Sequence, residues 1–337
     1  MTAVDVAAKA LTTAAGDTFT YDALVVATGA RPSTFADYKT PGADLKGVLY
    51  LRNVGDADAL LAELAAVKAA GGRVVCVGGG YIGMETAAAI SLHGVDVTMI
   101  FPEPRLLQRL FTPQMAAFYE LYFAAKGVKM VKGGLAAALE GGPDGRVARV
   151  VLKSGEKLDA DLVVVGVGAR PNVELFRGQL DLLEGPPGGV KTDAHLRTSA
   201  PGVWAVGDVA AYPLALAGGA LQRQEHVANC RASAAHAVTA ALTGSDAEYY
   251  YVPYFYSRVY DLSWVFYGLS SGEAVHYGDY AEGSRQFGAY FVDGGKVIGA
   301  FLEGGSPEDA AALKRLAEAR PDAPADLAEQ GLKFATR

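Results

Sequence analysis

The sequence contains only two cysteines, Cys76 and Cys230, and no C-x-x-C pair. Two cysteines cannot build a disulfide framework, which excludes the small disulfide-stapled secreted class and fits a reducing compartment. Basic residues are also scarce, with 30 Lys and Arg against 37 Asp and Glu and a net charge of −7. This balance excludes a chain that binds nucleic acid or anionic membranes through its overall charge.

Long apolar runs and targeting segments are missing as well. No stretch of about 18 apolar residues occurs, so we predict no membrane span. Residues 1–14 lack the regions of a secretory signal, and the last residues are not a peroxisomal tripeptide. We expect a cytoplasmic protein, with the chloroplast as the alternative because a transit peptide would precede Met1. The oligomeric state stays open.

One glycine-rich stretch stands out from the rest of the chain. Val74–Val77 have the composition of a buried strand. Gly78, Gly80 and Gly83 follow with the spacing G-x-G-x-x-G, before a helical run over residues 85–92. In such a motif the glycines allow a tight turn, a close approach to a pyrophosphate and close helix packing. The phosphates then lie against unpaired N–H groups at the helix N-terminus.

An acidic residue supports this interpretation of the glycines. The next strand is expected over residues 95–100, and Glu103 follows it, 20 residues after Gly83. A carboxylate at about this distance binds the adenosine ribose in dinucleotide domains. We therefore predict a site for a nicotinamide dinucleotide. An ordinary glycine-rich turn is the less favoured alternative.

A second pattern occurs twice. An apolar strand followed by Gly-Ala-Arg-Pro lies at residues 24–32 and again at 162–171, as expected if two similar nucleotide-binding domains each end this way. Asp208 also follows an apolar strand, in a Gly-Asp pair. We expect this strand to lead to a helix over roughly residues 228–242, so that the carboxylate lies beside a helix N-terminus and can accept from a ribityl or ribose hydroxyl. A simple helix cap is the alternative.

The flanking segments yield further expectations. Residues 1–19 predict two short strands, and Asp56 is expected to cap a helix that ends at Gly71–Gly72. Residues 249–301 are aromatic and alternating, which predicts an antiparallel sheet. Ser306 and Pro307 predict the start of a final helix. Beyond Pro321 we expect a loosely ordered chain.

Taken together, these stretches resemble the monodehydroascorbate reductases of plants and green algae, within the two-dinucleotide flavoprotein reductases. The most specific parts are Phe-Pro-Glu-Pro at 101–104 and Pro-Tyr-Phe-Tyr-Ser-Arg at 253–258. The glycine motif and the Gly-Asp pair are shared by the larger group. The matching stretches, spread over most of the chain, are 77–85, 96–104, 109–126, 198–213, 225–227, 254–263, 266–268 and 299–305.

The resemblance implies an enzyme that passes electrons from NADH, or less well from NADPH, through FAD to the monodehydroascorbate radical and so regenerates ascorbate. A flavin suits this task because it accepts an electron pair and releases the electrons singly. The implied partner is a small anionic radical, with no nucleic acid, membrane or metal. Alternatives are another NADH:flavin reductase of the ferredoxin or rubredoxin type, and a non-catalytic fragment that binds NADH alone.

The resemblance also implies roles for individual residues. The contacts to the nicotinamide dinucleotide are Gly78, Gly79, Gly80, Tyr81, Ile82, Gly83, Met84, Glu85, Glu103, Arg109, Gly168, Glu225 and His226. The contacts to FAD are Arg52, Asn53, Asp208, Val227 and Tyr256. The substrate-binding residues are Arg231 and Arg258, with Tyr256 as the catalytic residue. Guanidinium forks suit an anionic enolate-type substrate, although a surface ion pair is the alternative for either arginine, as a satisfied core histidine is for His226.

The expected fold is therefore α/β, with two Rossmann-like dinucleotide-binding domains and a C-terminal α+β domain that contains an antiparallel sheet. The FAD-binding domain is assigned to residues 1–55 and 172–245, the NAD(P)H-binding domain to 56–171 and the C-terminal domain to 246–337. The family's first glycine motif has no counterpart before residue 24. We accordingly expect an N-terminally truncated chain, an incomplete FAD-binding domain and weak FAD binding.

Overall fold

The computed structural model describes residues 1–281 and 283–337. The strands of this part of the chain are β1 (Ala3–Asp5), β2 (Ala10–Thr12), β3 (Thr18–Thr20), β4 (Leu24–Val26), β5 (Ala30–Pro32), β6 (Val48–Tyr50), β7 (Arg73–Val77), β8 (Asp96–Phe101), β9 (Lys129–Lys132), β10 (Ala136–Gly141), β11 (Val147–Leu152), β12 (Lys157–Asp159), β13 (Leu162–Val165), β14 (Ala169–Pro171), β15 (Val190–Lys191), β16 (Val203–Ala205), β17 (Ala210–Leu214), β18 (Ala220–Gln222), β19 (Tyr254–Val259), β20 (Leu262–Gly268), β21 (Glu273–Gly278), β22 (Phe287–Asp293) and β23 (Lys296–Glu303). The helices are α1 (Val54–Ala69), α2 (Tyr81–Leu92), α3 (Pro113–Ala125), α4 (Val227–Thr243), α5 (Pro307–Ala319) and α6 (Leu327–Gln330).

A five-stranded parallel sheet with the order β6-β13-β7-β8-β9 forms the centre of the first fold unit. Its middle strands are short runs of valine and other apolar residues, because both faces of the sheet are covered. Helices α1, α2 and α3 supply buried residues to the core on one face. The β10-β11-β12 meander packs on the other. The sheet includes Val48–Tyr50, which precede the predicted domain start at residue 56.

The two Gly-Ala-Arg-Pro segments pair with each other. Strands β5 and β14 run antiparallel, with Arg31 opposite Arg170. The nearby Asp37 carboxylate forms ion pairs with both arginines, at 2.7 and 3.8 Å. The two copies of the repeat therefore pair the segment that leads into the parallel sheet with the segment that leads out of it.

The N-terminal segment differs from its prediction. Residues 1–20 form three antiparallel strands, β1 to β3, and not two. The extra turn arises because the Asp5 carboxylate accepts from the Ala8 N–H at 2.8 Å and Lys9 adopts a left-handed backbone with φ 51°. Strand β4 continues into a parallel pairing with β16.

The C-terminal region contains the predicted antiparallel sheet, with the order β19-β20-β23-β22-β21. Helix α5 begins at the expected place, with a capping box between Ser306 and Asp309. The expectation of a loose chain beyond Pro321 is wrong. Residues 327–334 form α6 and a short 3-10 turn, because Leu327 is buried and Tyr290 donates a hydrogen bond to the Gly331 carbonyl at 2.9 Å.

Within residues 1–281 and 283–337, no helix combines the length and the apolar character that a membrane crossing requires.

Candidate nucleotide and substrate site

The glycine motif forms the turn between β7 and α2. Gly78 has φ 126°, and a Cβ atom on Gly83 would lie 2.0 Å from the Gly78 carbonyl oxygen, so neither position accepts a larger residue without movement. Helix α2 already begins at Tyr81, four residues earlier than predicted, so the last glycine of the motif lies within its first turn. This is the geometry that packs a helix closely on a strand.

The start of α2 fits a bound pyrophosphate. Its N-cap is Gly80, which has no side chain to satisfy the first N–H groups, and the first turn carries no acid. A Cβ atom on Gly80 would meet nothing within 4 Å, so open space lies beside the motif. Unsatisfied N–H groups and the helix dipole both favour an anion there.

Glu103, Arg109 and Gly168 lie in loops that follow strands of the same sheet. Glu103 is exposed two residues beyond the end of β8, and Gly168 comes three residues after the end of β13. Because β13, β7 and β8 are parallel neighbours, these two positions share the carboxyl edge of the sheet with the glycine motif. Arg109 is exposed in the loop before α3, where its carbonyl oxygen accepts from Ser270 at 3.2 Å.

The remaining residues of the motif point in different directions. Ile82 is 41% exposed, whereas Met84 is fully buried in the core and its N–H donates to the Gly80 carbonyl at 3.0 Å. Tyr81 stacks on Phe255 with 5.7 Å between ring centroids, and burial raises the pKa of its hydroxyl. The Met84 side chain is thus part of the core and does not line the open space.

Asp208 lies at the centre of a second cluster. Its side chain is 11% exposed, and its two carboxylate oxygens have different partners: Arg52 Nη2 at 3.1 Å on Oδ2 and the Cys230 thiol at 3.1 Å on Oδ1. Burial, followed by this hydrogen bond, raises the pKa of Cys230 to about 11. The cluster joins α4 to the loop before α1.

The helix predicted over residues 228–242 is confirmed as α4 (Val227–Thr243), but it does not follow Asp208 directly in the chain. Residues 207–209 form a single 3-10 turn that leads into β17, in which Tyr212 and Leu214 pack inward. The helix that contacts Asp208 is α4, which begins 19 residues later in the chain at Val227. The carboxylate therefore does lie against a helix, but through tertiary packing and not through sequence continuity.

Asn53, predicted as an FAD contact, caps α1. Its side-chain oxygen accepts from the Asp56 N–H at 3.1 Å, and the Asp56 carboxylate accepts from the Asn53 N–H at 3.0 Å. The predicted cap at Asp56 is wrong by three residues, because Asp56 is the second member of a capping box that starts at Asn53.

The segment before α4 brings His226 against the aromatic strand. The His226 Nδ1 atom accepts from the Ala228 N–H at 3.1 Å, so this histidine is the N-cap of α4. Its ring lies 4.9 Å from the Tyr254 ring and 5.5 Å from that of Tyr256. Burial lowers the pKa of His226, and the Asp208 charge partly opposes this shift. Histidine, aspartate and tyrosine thus share one neighbourhood.

Tyr256 and Arg258 occupy the outward face of β19, as their two-residue spacing predicts. Both are exposed, while Ser257 and Val259 between and after them are buried. Tyr256 stacks on Tyr254, and Tyr254 on Tyr267, with centroid distances of 5.6 and 4.6 Å. The structure therefore places a tyrosine ladder and a guanidinium on one surface.

The first turns of α4 and the residues just before it carry the other predicted residues. Glu225 pairs with Arg223, and Val227 is 50% exposed. Arg231 is exposed and follows Cys230, the thiol that donates to Asp208. The structure brings Arg52, Asp208 and His226 into one cluster and places Arg231 on the helix that borders it.

Two residues of this neighbourhood were missed in the sequence. The Arg223 side chain is 6% exposed and donates to the carbonyl oxygens of Asp208 and Pro187, both at 3.0 Å. Ser257 donates to the Glu85 carboxylate at 2.6 Å. No local pattern marks Arg223, whereas the alternation of β19 places Ser257 on the inner face and could have identified it.

The chemistry of this cluster fits a flavin nucleotide. The Asp208 carboxylate can accept from ribityl hydroxyls, and the half-exposed Arg52 can pair with a phosphate. Val227 and Tyr256 expose apolar surface beside it, at 50% and 45%. The buried Gln224 Oε1 has no hydrogen-bond partner among the described residues. It is available to accept a hydrogen bond from a hydroxyl or N–H group of a bound flavin nucleotide.

Comparison with known proteins agrees with this geometry. Residues 1–240 match the family model for pyridine nucleotide-disulphide oxidoreductases, and residues 252–335 match that for the monodehydroascorbate reductase 3-like C-terminal domain. The chain is similar to monodehydroascorbate reductase from Solanum lycopersicum (47% identity; 99% of this chain and 77% of the relative) and to peroxisomal monodehydroascorbate reductase 1 from Arabidopsis thaliana (49%, with the same coverage).

Solved structures show the same fold. The ferredoxin reductase for the CYP199A2 system from Rhodopseudomonas palustris superposes with a TM-score of 0.89 at 32% identity, covering 100% of this chain and 81% of that one. Putidaredoxin reductase in its covalent complex with putidaredoxin superposes with a TM-score of 0.88 at 28% identity, covering 99% and 79%.

Proposed function

The chain belongs to the pyridine nucleotide-disulphide oxidoreductases and, within them, to the monodehydroascorbate reductases; on this premise we propose that it transfers electrons from NADH to the monodehydroascorbate radical with FAD as cofactor. One NADH and one proton reduce two radical anions to two ascorbate anions and leave NAD⁺. Bound FAD supplies the step from an electron pair to single electrons. The protein has to bind both nucleotides, hold a small anion and exclude water.

The observation that carries the proposal is the position of β19 between two groups of predicted site residues. Its inner face, with Phe255 and Ser257, packs on Tyr81 and Glu85 of the nucleotide helix α2. Its outer face presents Tyr256 and Arg258 next to His226. Strand β19 therefore lies between the proposed nucleotide site and the proposed substrate site. Only the thickness of one strand separates the two sites, which suits electron transfer between them.

We propose that Arg231 and Arg258 bind the radical anion and that Tyr256 forms the wall of its pocket. Both guanidinium groups are exposed and can each offer a fork of donors to an enolate-type anion. Arg258 is close enough to Tyr254 for its charge to oppose the rise that burial causes in the pKa of that tyrosine. This charge effect, together with the position of Arg258 on the same face of β19 as Tyr254 and Tyr256, supports a cation beside the tyrosine ladder.

We further propose that NADH is preferred to NADPH. Glu103 is exposed at the carboxyl edge of the sheet, where it can accept from both adenosine ribose hydroxyls and repel a 2′-phosphate. Arg105 lies two residues on and is partly exposed, which weakens this discrimination.

The assignment of residues 1–55 with 172–245 to FAD, of 56–171 to the nicotinamide nucleotide and of 246–337 to a C-terminal domain also stays a proposal, as does a cytoplasmic location. Arg52 and Asp208 support the first assignment. The names of some relatives refer to peroxisomes, so fractionation of cells that produce the chain is the appropriate test of location.

A reductase that serves a ferredoxin-type protein is the second candidate, favoured by the solved structures of that class that share the fold. The test uses the chain supplied with FAD and NADH, and compares the radical, generated from ascorbate by ascorbate oxidase, with ferredoxin and rubredoxin as acceptors. We expect NADH oxidation with the radical alone. Oxidation that requires the redox protein would replace the proposal with the second candidate.

A further inference from the structure

The buried Ser257 links the nucleotide helix to the substrate strand. Its side chain is fully buried, and its Oγ donates to Glu85 Oε1 at 2.6 Å. Ser257 lies in β19 of the C-terminal sheet, whereas Glu85 lies in α2, two residues after the last glycine of the motif. The hydrogen bond therefore connects two parts of the chain 172 residues apart.

The Glu85 carboxylate still has an oxygen to offer. Oε1 accepts from Ser257, and no hydrogen bond to Oε2 is found within residues 1–281 and 283–337. The side chain is only partly buried, unlike its neighbours Met84 and Thr86. The hydrogen bond to Oε1 fixes the carboxylate and therefore also the direction of Oε2. This makes Oε2 a pre-organised hydrogen-bond acceptor for a ligand.

Packing around the pair restricts its orientation. Tyr81, one helical turn before Glu85, stacks on Phe255 with an interplanar angle of 11°, and lies 5.8 Å from the Trp264 ring. Trp264 is the residue opposite Ser257 in the β19–β20 pairing. The aromatic contacts hold α2 and β19 together, so the hydroxyl itself is not needed to join the two elements.

We propose that Ser257 is a positioning residue whose hydroxyl holds the Glu85 carboxylate in the orientation that binds the nicotinamide nucleotide. The inference rests on the proposed function, since it requires that the nucleotide binds at α2. It assigns a residue of the C-terminal sheet to the nucleotide site. It also implies that the hydroxyl acts on nucleotide affinity more than on folding.

The test is a double-mutant cycle on the full chain, with NADH affinity measured by fluorescence titration and thermal stability measured in parallel. Ser257→Ala removes only the hydroxyl, and Glu85→Ala removes the acceptor. Each single variant should weaken NADH binding about tenfold, the range for one hydrogen bond to a charged group. The double variant should bind no more weakly than Glu85→Ala, because the serine acts through the carboxylate. Ser257→Thr, which keeps a hydroxyl, should restore most of the affinity.

Other outcomes separate this inference from the function on which it rests. If the unaltered chain binds NADH and Ser257→Ala lowers the melting temperature but leaves the NADH dissociation constant unchanged, Ser257 has a structural role only and the inference is wrong. Additive losses in the double variant would also contradict it. Failure of the unaltered chain to bind NADH would instead contradict the proposed function.

Discussion

The Cys230 thiol donates a hydrogen bond to Asp208 Oδ1 across 3.1 Å. Because burial and the aspartate together raise the pKa of Cys230 to about 11, the thiol stays protonated at neutral pH. We therefore expect slow alkylation of native Cys230 by iodoacetamide. Asp208→Asn removes the charge but keeps the shape, so it should lower the pKa and speed alkylation, by about tenfold for each unit of the shift.

Mass spectrometry of tryptic peptides can follow this reaction at several pH values. Cys76 is fully buried and serves as the internal control, since its alkylation reports unfolding. Equal rates for Cys230 in the unaltered chain and in Asp208→Asn would show that burial alone protects the thiol.

Asn53 caps helix α1, and this structural role is separate from its predicted contact to FAD. Asn53→Ala removes the side-chain oxygen that accepts from Asp56, and should destabilise the fold by about 1 kcal/mol, the usual value for an N-cap. Asn53→Ser retains an acceptor and should restore most of that loss. Urea unfolding of the chain without added FAD measures both, and equal stability of all three proteins would contradict the cap.

Glu103 should set the choice of nucleotide. Glu103→Gln keeps a hydrogen-bond acceptor but removes the charge that repels a 2′-phosphate. The ratio of NADPH to NADH dissociation constants should then fall about tenfold, the value of one charge-assisted interaction. Glu156→Gln, at an exposed position in the turn before β12, removes an acid outside the proposed site and is the matched control. An unchanged ratio would mean that the Glu103 carboxylate faces away from the ribose.

The pH dependence of stability should depend on Glu303. This side chain is buried and accepts hydrogen bonds from the Tyr119 hydroxyl and, at 2.7 Å, from the Ser263 N–H. The charges of Arg285 and Asp261 act on its pKa in opposite directions. Burial is the largest effect and raises its pKa above the ordinary 4.5. The folded state thus keeps a proton that the unfolded state releases. The contribution of Glu303 to the stability of the fold is therefore largest below about pH 4.5, and it falls as the pH rises through the pKa of the folded state.

Glu303→Gln should remove this contribution, because an amide does not titrate. Melting temperatures measured from about pH 4.5 to 7 should fall less in the variant than in the unaltered chain. Glu248→Gln, at an exposed position, is the control and should leave the slope unchanged. A steeper slope in Glu303→Gln would contradict the raised pKa.

Local sequence patterns predicted those parts of the fold that depend on local chemistry. The glycine turn, the sheet strands, the alternation of β19 and the cap of α5 follow from side-chain period and backbone sterics. Helix α4 was predicted where it occurs, but strand β17, which lies between Asp208 and that helix in the chain, was not predicted because tertiary packing determines it. That strand is stabilised by burial of Tyr212 and Leu214, and the helix that meets the carboxylate comes from a later part of the chain.

The candidate site was predicted in the same uneven way. The glycine motif could be found in the sequence because its spacing is itself a local pattern, in which Gly83 packs against the Gly78 carbonyl five residues earlier. Three hydrogen bonds join distant segments of the chain: Cys230 to Asp208, Arg223 to Asp208 and Ser257 to Glu85. No periodic pattern in the sequence predicts which residues form these pairs. Asn53, whose contact to FAD stays a prediction, also forms a purely local link, the capping box of its own helix.

The central claim is that the radical anion binds at Arg231 and Arg258, on the side of β19 opposite the nucleotide helix. The measurement that tests it most directly is steady-state kinetics of the FAD-supplied chain and of Arg231→Ala and Arg258→Ala, with the KM for the radical and the KM for NADH determined separately. Arg315→Ala, at an exposed position on α5, is the control. The account predicts that each site variant raises the KM for the radical about tenfold or more while the KM for NADH stays within about twofold. A raised KM for NADH with an unchanged KM for the radical would contradict it.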